Sequence, residues 1–333
     1  MWSMSRRTQS LIPVSQRQPV GVLNDSLDLD HGDVESKRTG FLIMLTLSAV
    51  IAIAGILTDS TATVIGAMII APLATPIQGI GLGIVTGHLS LVLRSIFWVV
   101  MGMLIVVALG VVFSVVIADP ASLSTNSQIT SRTAPGLLDL LAAIATGTAG
   151  AFALARRDLS AVLPGVAIAI SLVPPLGVVG VTLGQGDWNG AFGSLMLFLS
   201  NLVALVIAAA IVFTMSGYAS DPGSLPTANR RRAYTVVGVL ALLVTIPLAA
   251  NSVVAVALAR WSVQIGDSTS TWLGEDSEAI VDDVQWQGLT AVIGVTAPDG
   301  DVPPVEKLRD LLNLPGFVTV LLEIDEGSKV PVT

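Results

Sequence analysis

The stretch "GAMIIAPLATPIQGIGLG", residues 66–83, decides how the chain is read, because it sits inside a long apolar run yet carries Pro72, Pro76 and four glycines. A proline removes one N–H and its ring collides with the carbonyl one turn earlier, freeing backbone groups that lipid cannot satisfy. In a membrane such a break persists only where protein, water or a bound solute takes up those groups. The prolines are therefore either packing kinks, with glycines allowing close helix contact, or part of a site.

The surrounding composition places this run in a membrane. Of 333 residues, 53% are hydrophobic and 12% charged, against roughly 25% charged in a soluble domain. At about 20 apolar residues per crossing, seven segments are predicted to span: 41–58, 61–86, 91–118, 136–155, 160–184, 190–216 and 234–259. Residues 1–40 are polar and carry Asp25, Asp28, Asp30, Asp33 and Glu35. They are expected to form a disordered cytoplasmic segment rather than a secretory leader.

Orientation follows from lysine and arginine, which cytoplasmic loops carry in excess. Arg6, Arg7, Arg17, Lys37 and Arg38 precede the first segment, and Arg94 lies between the second and third. Arg156 and Arg157 separate the fourth and fifth; Arg230, Arg231 and Arg232 separate the sixth and seventh. Seven full crossings put eleven of the sixteen basic residues on one side. A second segment that dipped in and returned would move Arg94, Arg156 and Arg157 to the other side, so full crossing is expected. The N-terminus is then cytoplasmic and the C-terminal region external.

Sliding the chain against itself by 99 positions aligns residues 59–87 with 158–186. Identities fall at Asp59/Asp158, Gly66/Gly165, Pro76/Pro175, Gly81/Gly180 and Gly87/Gly186, among others. Each copy holds three segments, repeat 1 over 41–118 and repeat 2 over 136–216. Because three is odd, the second copy enters from the opposite face. The fold predicted is an all-α polytopic membrane protein with a 3+3 inverted repeat, whose broken second and fifth helices meet near the midplane. Paired Gly/Pro-interrupted segments of this kind point to a transport site.

The residues expected to line the pathway are Pro72, Thr75, Pro76, Gln78 and Gly81 from the first copy, Ser171, Pro174, Pro175 and Gly180 from the second, and Asn201 midway along the sixth segment. Thr75, Gln78 and Asn201 serve equally well as interhelical hydrogen-bonding groups. Asp59 and Asp158 fall where helices two and five begin; each is an N-cap or, from its repeated position, a gating group. No chain of acidic residues runs through the spans, which disfavours a carboxylate proton relay.

At these residues the sequence resembles a bacterial integral-membrane family known only as domain of unknown function number 389. Gly66, Ala67, Met68, Pro72, Leu73, Pro76, Ile77, Gly81 and Gly83 resemble its first signature. Ser171, Leu172, Val173, Pro174, Pro175 and Gly180 resemble its second. The resemblance covers about residues 40–215 and implies no activity.

From Arg260 onward, thirteen acidic residues face four basic ones, which excludes nucleic acid as a partner. There "LTAVIGVTA" (289–297) and "FVTVLLEID" (317–325) read as strands and "PPVEKLRDLLNL" (303–314) as a helix, giving a small α/β domain over 260–333. The chain has no cysteine and only His31 and His88. A thiolate or histidine metal centre is thus not expected, no cofactor is implied, and no nucleophile with a base suggests an enzyme. The expected partners are membrane lipids, a small solute or ion, and a second copy packed through small residues such as Gly79, Gly83 and Gly87. The function expected is a transporter or channel; the alternative is a membrane sensor or scaffold acting through the external domain.

Overall fold

The computed structural model describes residues 11–117, 126–133, 137–162, 172–220, 260–274, 279–287, 290–297, 302–312, 314–316 and 318–325, with isolated positions between 235 and 258. The chain divides into two units, Met1–Asn251 and Ser252–Thr333.

The first unit is helical: α1 (Val20–Leu27), α2 (Val34–Leu57), α3 (Thr61–Ile70), α4 (Ala74–Thr86), α5 (Leu89–Ile117), α6 (Ser127–Thr133), α7 (Leu137–Ala155), α8 (Val173–Gly184) and α9 (Trp188–Met215). A 3-10 segment, Arg157–Val162, follows α7 and another, Tyr218–Ser220, follows α9. The four helices α2, α5, α7 and α9 are long and apolar enough to cross a membrane, and the α3–α4 pair adds a fifth if it counts as one bent span. This is the make-up of a multi-pass membrane protein. Of the predicted fifth segment, residues 163–171 lie outside the described residues, and the predicted seventh, 234–259, lies largely outside them.

Local chemistry sets the helix ends. Asp33 caps α2, its carboxylate accepting the Ser36 N–H, so the helix begins seven residues before the apolar run. At its far end Asp59 takes a left-handed φ of 51°, with the Asp59 N–H bonded to Ile56 and the Ser60 N–H reaching back to Gly55. This pattern returns the Gly55 carbonyl to hydrogen bonding, while the Ile56 carbonyl also accepts the Asn126 side-chain amide at 2.8 Å. Gly87 and Gly186, with φ of 79° and 77°, end the short helices α4 and α8 in the same left-handed way.

Basic residues collect at one end of the unit. Arg94 lies 3.4 Å from Asp28, Arg38 2.8 Å from Asp30 and Lys37 2.8 Å from Asp25. Arg17 donates to the Ser216 carbonyl and stacks over Tyr218, while Arg157 donates to the Arg17 carbonyl. The expected disorder of residues 1–40 is corrected over 11–40. Ile12, Leu23 and Leu27 are buried among Leu82, Val85, Ala209 and Phe213, and Asp25, Asp28 and Asp30 pair with Lys37, Arg94 and Arg38. The i, i+4 pair Leu23–Leu27 offers a one-sided apolar face, which a count of polar residues over the segment overlooks.

The second unit holds a helix over residues 260–273, α10, and then β1 (Ile280–Gln287), β2 (Thr290–Thr296), α11 (Val305–Leu311) and β3 (Thr319–Asp325). β1 pairs antiparallel with β2, and β3 pairs parallel with β2 through α11 as the crossover. Ile265, Trp272, Ala291, Ile293, Val295 and Leu308 form its core. β2, α11 and β3 lie where the sequence places them. β1 was not foreseen, because the acidic pair Asp282–Asp283 interrupts the apolar alternation by which a strand is recognised.

Candidate functional site

The break in the first half has a sequence cause at each residue. Ala71 precedes proline, which disfavours the helical region; it is extended, at φ −69° and ψ 120°, and α3 ends there. Pro76 has no N–H to offer the Pro72 carbonyl, which accepts the Thr75 N–H instead at 3.1 Å. The helices on either side are bent by 48°. In an unbroken helix the Ala67 carbonyl would accept the Ala71 N–H. Here it accepts the Ser48 hydroxyl at 2.8 Å, fully buried, so a neighbouring helix repairs one of the freed groups.

Pro76 is the third residue of α4, and Pro174 and Pro175 lie in the first turn of α8. In a first turn a missing N–H removes no intrahelical bond and the fixed φ suits the helix. These prolines start helices rather than kink them. Neither start has a side-chain cap.

Both starts lie at one level of the bundle. A methyl built on Gly102 of α5 would meet Leu73, the residue before α4, at 2.7 Å. α8 runs alongside α5 with Gly180 against Gly110 and Gly184 against Ser114, which brings Val173 near the level of Met103. From that level the two helices run to opposite ends. α4 heads for the basic end, where Gly79 abuts the Leu27 carbonyl and Ser95. α8 heads for the other, where Gln185 donates to the Ser114 carbonyl at 3.0 Å.

Each short helix is locked to a long helix at a glycine. A methyl on Gly81 would lie 2.5 Å from the Ala209 Cβ and 3.3 Å from the Val206 carbonyl oxygen on α9. One on Gly180 would collide with the Val107 carbonyl oxygen on α5 and lie 2.7 Å from the Gly110 Cα. Gly81 and Gly180, Val107 and Val206, Gly110 and Ala209 are each 99 positions apart.

The residues at and near the two starts are packed in apolar surroundings, Leu73, Ile77, Leu172, Val173, Leu176 and Phe198 all being buried in one cluster. Gln78, one turn into α4, is 2% exposed, and its Oε1 has no hydrogen-bond partner. Asn201 is also buried. The parallel course of α4 and α9, with Gly81 beside Val206 and Ala209, sets it near the level where α4 begins. Pro76, Gly81, Pro174, Pro175 and Gly180 are buried, and Pro72 and Thr75 half-buried. Ser171 lies outside the described residues.

The two aspartates differ from the expected caps. Ser60, not Asp59, caps α3, accepting the Thr63 N–H, because Asp59 is the left-handed residue that ends α2. Its carboxylate instead accepts the Ser127 hydroxyl at 2.6 Å and the Gln128 N–H at 3.1 Å. Those hydrogen bonds, the Ser127 hydroxyl first, hold its pKa below the ordinary carboxylate value. Asp158 lies in the 3-10 turn and pairs with Arg156 at 2.7 Å, which lowers its pKa and raises that of Arg156. The two aspartates stand at opposite ends of the unit, each tying down a connection.

Two features went unread in the sequence. Ser48 shares the apolar run "LTLSAVIAIAG" with a second hydroxyl residue, Thr46, and nothing in the sequence singles it out. Arg132, on α6 at the end away from the basic cluster, donates to Gln128 and Ser131. Among the described residues it has no carboxylate partner, and burial draws its pKa below the ordinary guanidinium value.

Residues 68–207 match the family described as Domain of unknown function (DUF389). The chain is 32% identical over 225 residues to an uncharacterized protein of Methanocaldococcus jannaschii, the alignment covering 68% of each chain. That relative is archaeal, so the bacterial label expected from the resemblance is too narrow. No solved structure matches the chain.

Proposed function

We propose, from the geometry of this chain, which belongs to the family described as Domain of unknown function (DUF389), a membrane transporter or channel for a small solute or ion. In this reading α2 to α5 and α7 to α9 are two inverted copies, and α4 and α8 are half-helices that bring a break to the midplane from opposite faces. One observation carries it. The two short helices start at one level, run to opposite ends, and are held by glycine crossings whose members are 99 positions apart on both sides of the contact. A two-fold relation lying in the membrane plane produces that arrangement; an anchor built only to hold an external domain gains nothing from it.

A seventh span over 234–259 completes the reading. It sets the basic end in the cytoplasm, following the excess of positive charge there, and the acidic region over 260–333 outside. The pathway runs past Pro72, Thr75, Pro76, Gln78 and Gly81 on one side and Ser171, Pro174, Pro175 and Gly180 on the other. The apolar cluster at the helix starts then acts as the barrier of a closed state.

The test is flux through the purified full chain in liposomes, over ions and neutral solutes. We expect uptake of at least one class, lowered in Pro76→Leu and Pro175→Leu proteins that still elute as folded. No flux over the whole panel would replace this reading with that of a sensor or scaffold acting through the external unit.

A further inference from the structure

We infer that the segment over residues 11–30 is a clamp that closes the pathway at the basic end, and that its charged half is a latch which must release for that end to open. The inference rests on the transport reading and adds a gate to it. Residues 11–18 are bonded to the second copy of that reading. The N–H groups of Leu11 and Gln18 donate to the Met215 and Ala155 carbonyls, each at 2.9 Å, and the Arg157 N–H donates to the Gln16 carbonyl at 3.0 Å. Residues 25–30 are bonded to the first copy. Asp25 pairs with Lys37, Asp28 with Arg94 and Asp30 with Arg38, and Trp98 Nε1 donates to Asp30 at 3.0 Å. Between these anchors, Leu23 and Leu27 share one buried cluster with Val85 of α4, Leu91 of α5, Ala151 of α7 and Phe213 of α9.

An inverted repeat exposes its site to each side in turn by rocking one copy against the other. An element bonded to both copies at one end must let go of one of them before that end opens. The second-copy anchor is backbone hydrogen bonding, which carries no net charge for salt to screen. The first-copy anchor relies on Arg38 and Arg94, whose side chains are each 47% exposed, and pairs of that kind are weak and salt-sensitive. Release therefore falls on the first-copy side, with α1 lifting off α4 where the Leu27 carbonyl now faces Gly79. The other end of the unit has a counterpart. α6, which like residues 11–30 precedes the first helix of a copy, also joins both copies: the Asn126 amide donates to the Ile56 carbonyl at 2.8 Å, and the Ser194 hydroxyl of α9 donates to the Arg132 carbonyl at 3.0 Å. No ion pair holds α6 among the described residues, so added salt loosens the clamp at the basic end alone.

Docking and flux are tested separately. Leu27 is 2% exposed and the chain has no cysteine, so Leu27→Cys in the purified full chain should react slowly with a soluble thiol reagent. Labelling should be at least tenfold faster when Asp28→Asn and Asp30→Asn are added, and faster at raised ionic strength. Fast labelling without the asparagines, or labelling indifferent to them, overturns the inference. Arg38→Gln with Arg94→Gln removes the same pairs from the other side if the asparagine protein fails to fold. For flux, a Cβ on Gly79 would lie 3.7 Å from that of Leu27, within the about 3.5–4.5 Å that a disulfide spans. Leu27→Cys with Gly79→Cys therefore tethers the clamp shut, carried with Ser95→Ala because the Ser95 Oγ would stand 2.7 Å from the new Cβ. Liposomes are loaded in turn with potassium chloride, potassium phosphate and glycerol. We expect the asparagine protein to raise efflux severalfold, and oxidation of the tethered protein to lower it at least tenfold until a reductant is added. Efflux indifferent to both changes overturns the gate and leaves transport standing. Efflux absent from every protein, the released one included, removes the transport reading and the gate with it, while labelling still reports whether the segment is docked. Should the disulfide not close, efflux from the asparagine protein decides alone.

Discussion

The two glycine crossings have the same plan and different tolerances. On the α4 side, Gly81 faces the Ala209 methyl, a side chain; on the α8 side, Gly180 faces the Val107 carbonyl and Gly110, which are backbone. The seals beyond them differ as well. α4 is covered at the basic end by the segment bearing Leu23 and Leu27, whereas α8 is tied by the hydrogen bonds of Ser114 and Gln185, Ser114 donating to the Val181 carbonyl at 2.8 Å. A duplicated backbone device has thus been finished with apolar packing on one side and polar contacts on the other. In membranes, where helix association relies on close packing and hydrogen bonds rather than on apolar burial, both finishes are available.

The largest expected effect breaks this comparison at its tighter side. Gly180→Ala forces a methyl against backbone that cannot move aside, so its cost should reach or pass the top of the ~1–3 kcal/mol usual for overpacking, read as lost folded yield and a lowered unfolding midpoint in detergent. Gly81→Ala should cost less, and Ala209→Gly in the same chain should restore most of the loss, because the obstructing atom is that methyl. Equal penalties, or no rescue, would mean the two crossings are not built as described. Next in size is Ser48→Ala, which leaves the Ala67 carbonyl at the break without its donor. A loss of about 1 kcal/mol is expected, and an unchanged midpoint would show that the break satisfies itself in another way.

The smallest effect concerns the covering segment. Hydrogen bonds from Lys37 and then His31 hold the Asp25 pKa below its ordinary 3.8. A carboxyl lowered on folding adds stability above its unfolded pKa, and that stability is lost as the pH falls through the folded value. The unfolding midpoints of wild type and Asp25→Asn should therefore differ near neutrality and converge as the pH drops below 3.8. A gap that persists in acid would assign the effect to something other than the charge.

What could be read in advance was whatever has a local cause. Pro72 and Pro76 dictate the break because proline acts on the residue before it and on the carbonyl one turn earlier. Gly87 and Gly186 mark helix ends because a left-handed residue is needed there. The contacts that repair the break were not legible: Ser48 reaches Ala67 across 19 positions and Ser127 reaches Asp59 across 68, and no spacing rule relates such partners. Asp59 was misplaced by one residue, since a helix C-terminus and the next N-cap share the same three residues. The docked segment over 11–40 was hidden because its few apolar residues are diluted among acids, although four of them are buried.

The central claim is that α4 and α8 run to opposite faces of the membrane, and accessibility tests it most directly. The chain lacks cysteine, so one introduced thiol is unique. Leu89 and Trp188 follow the two short helices, 99 positions apart, and are 55% and 73% exposed. An impermeant thiol reagent applied to intact cells should label Trp188→Cys but not Leu89→Cys, which should react only once the membrane is opened. Labelling of both from outside, or of Leu89→Cys alone, would contradict the inverted arrangement.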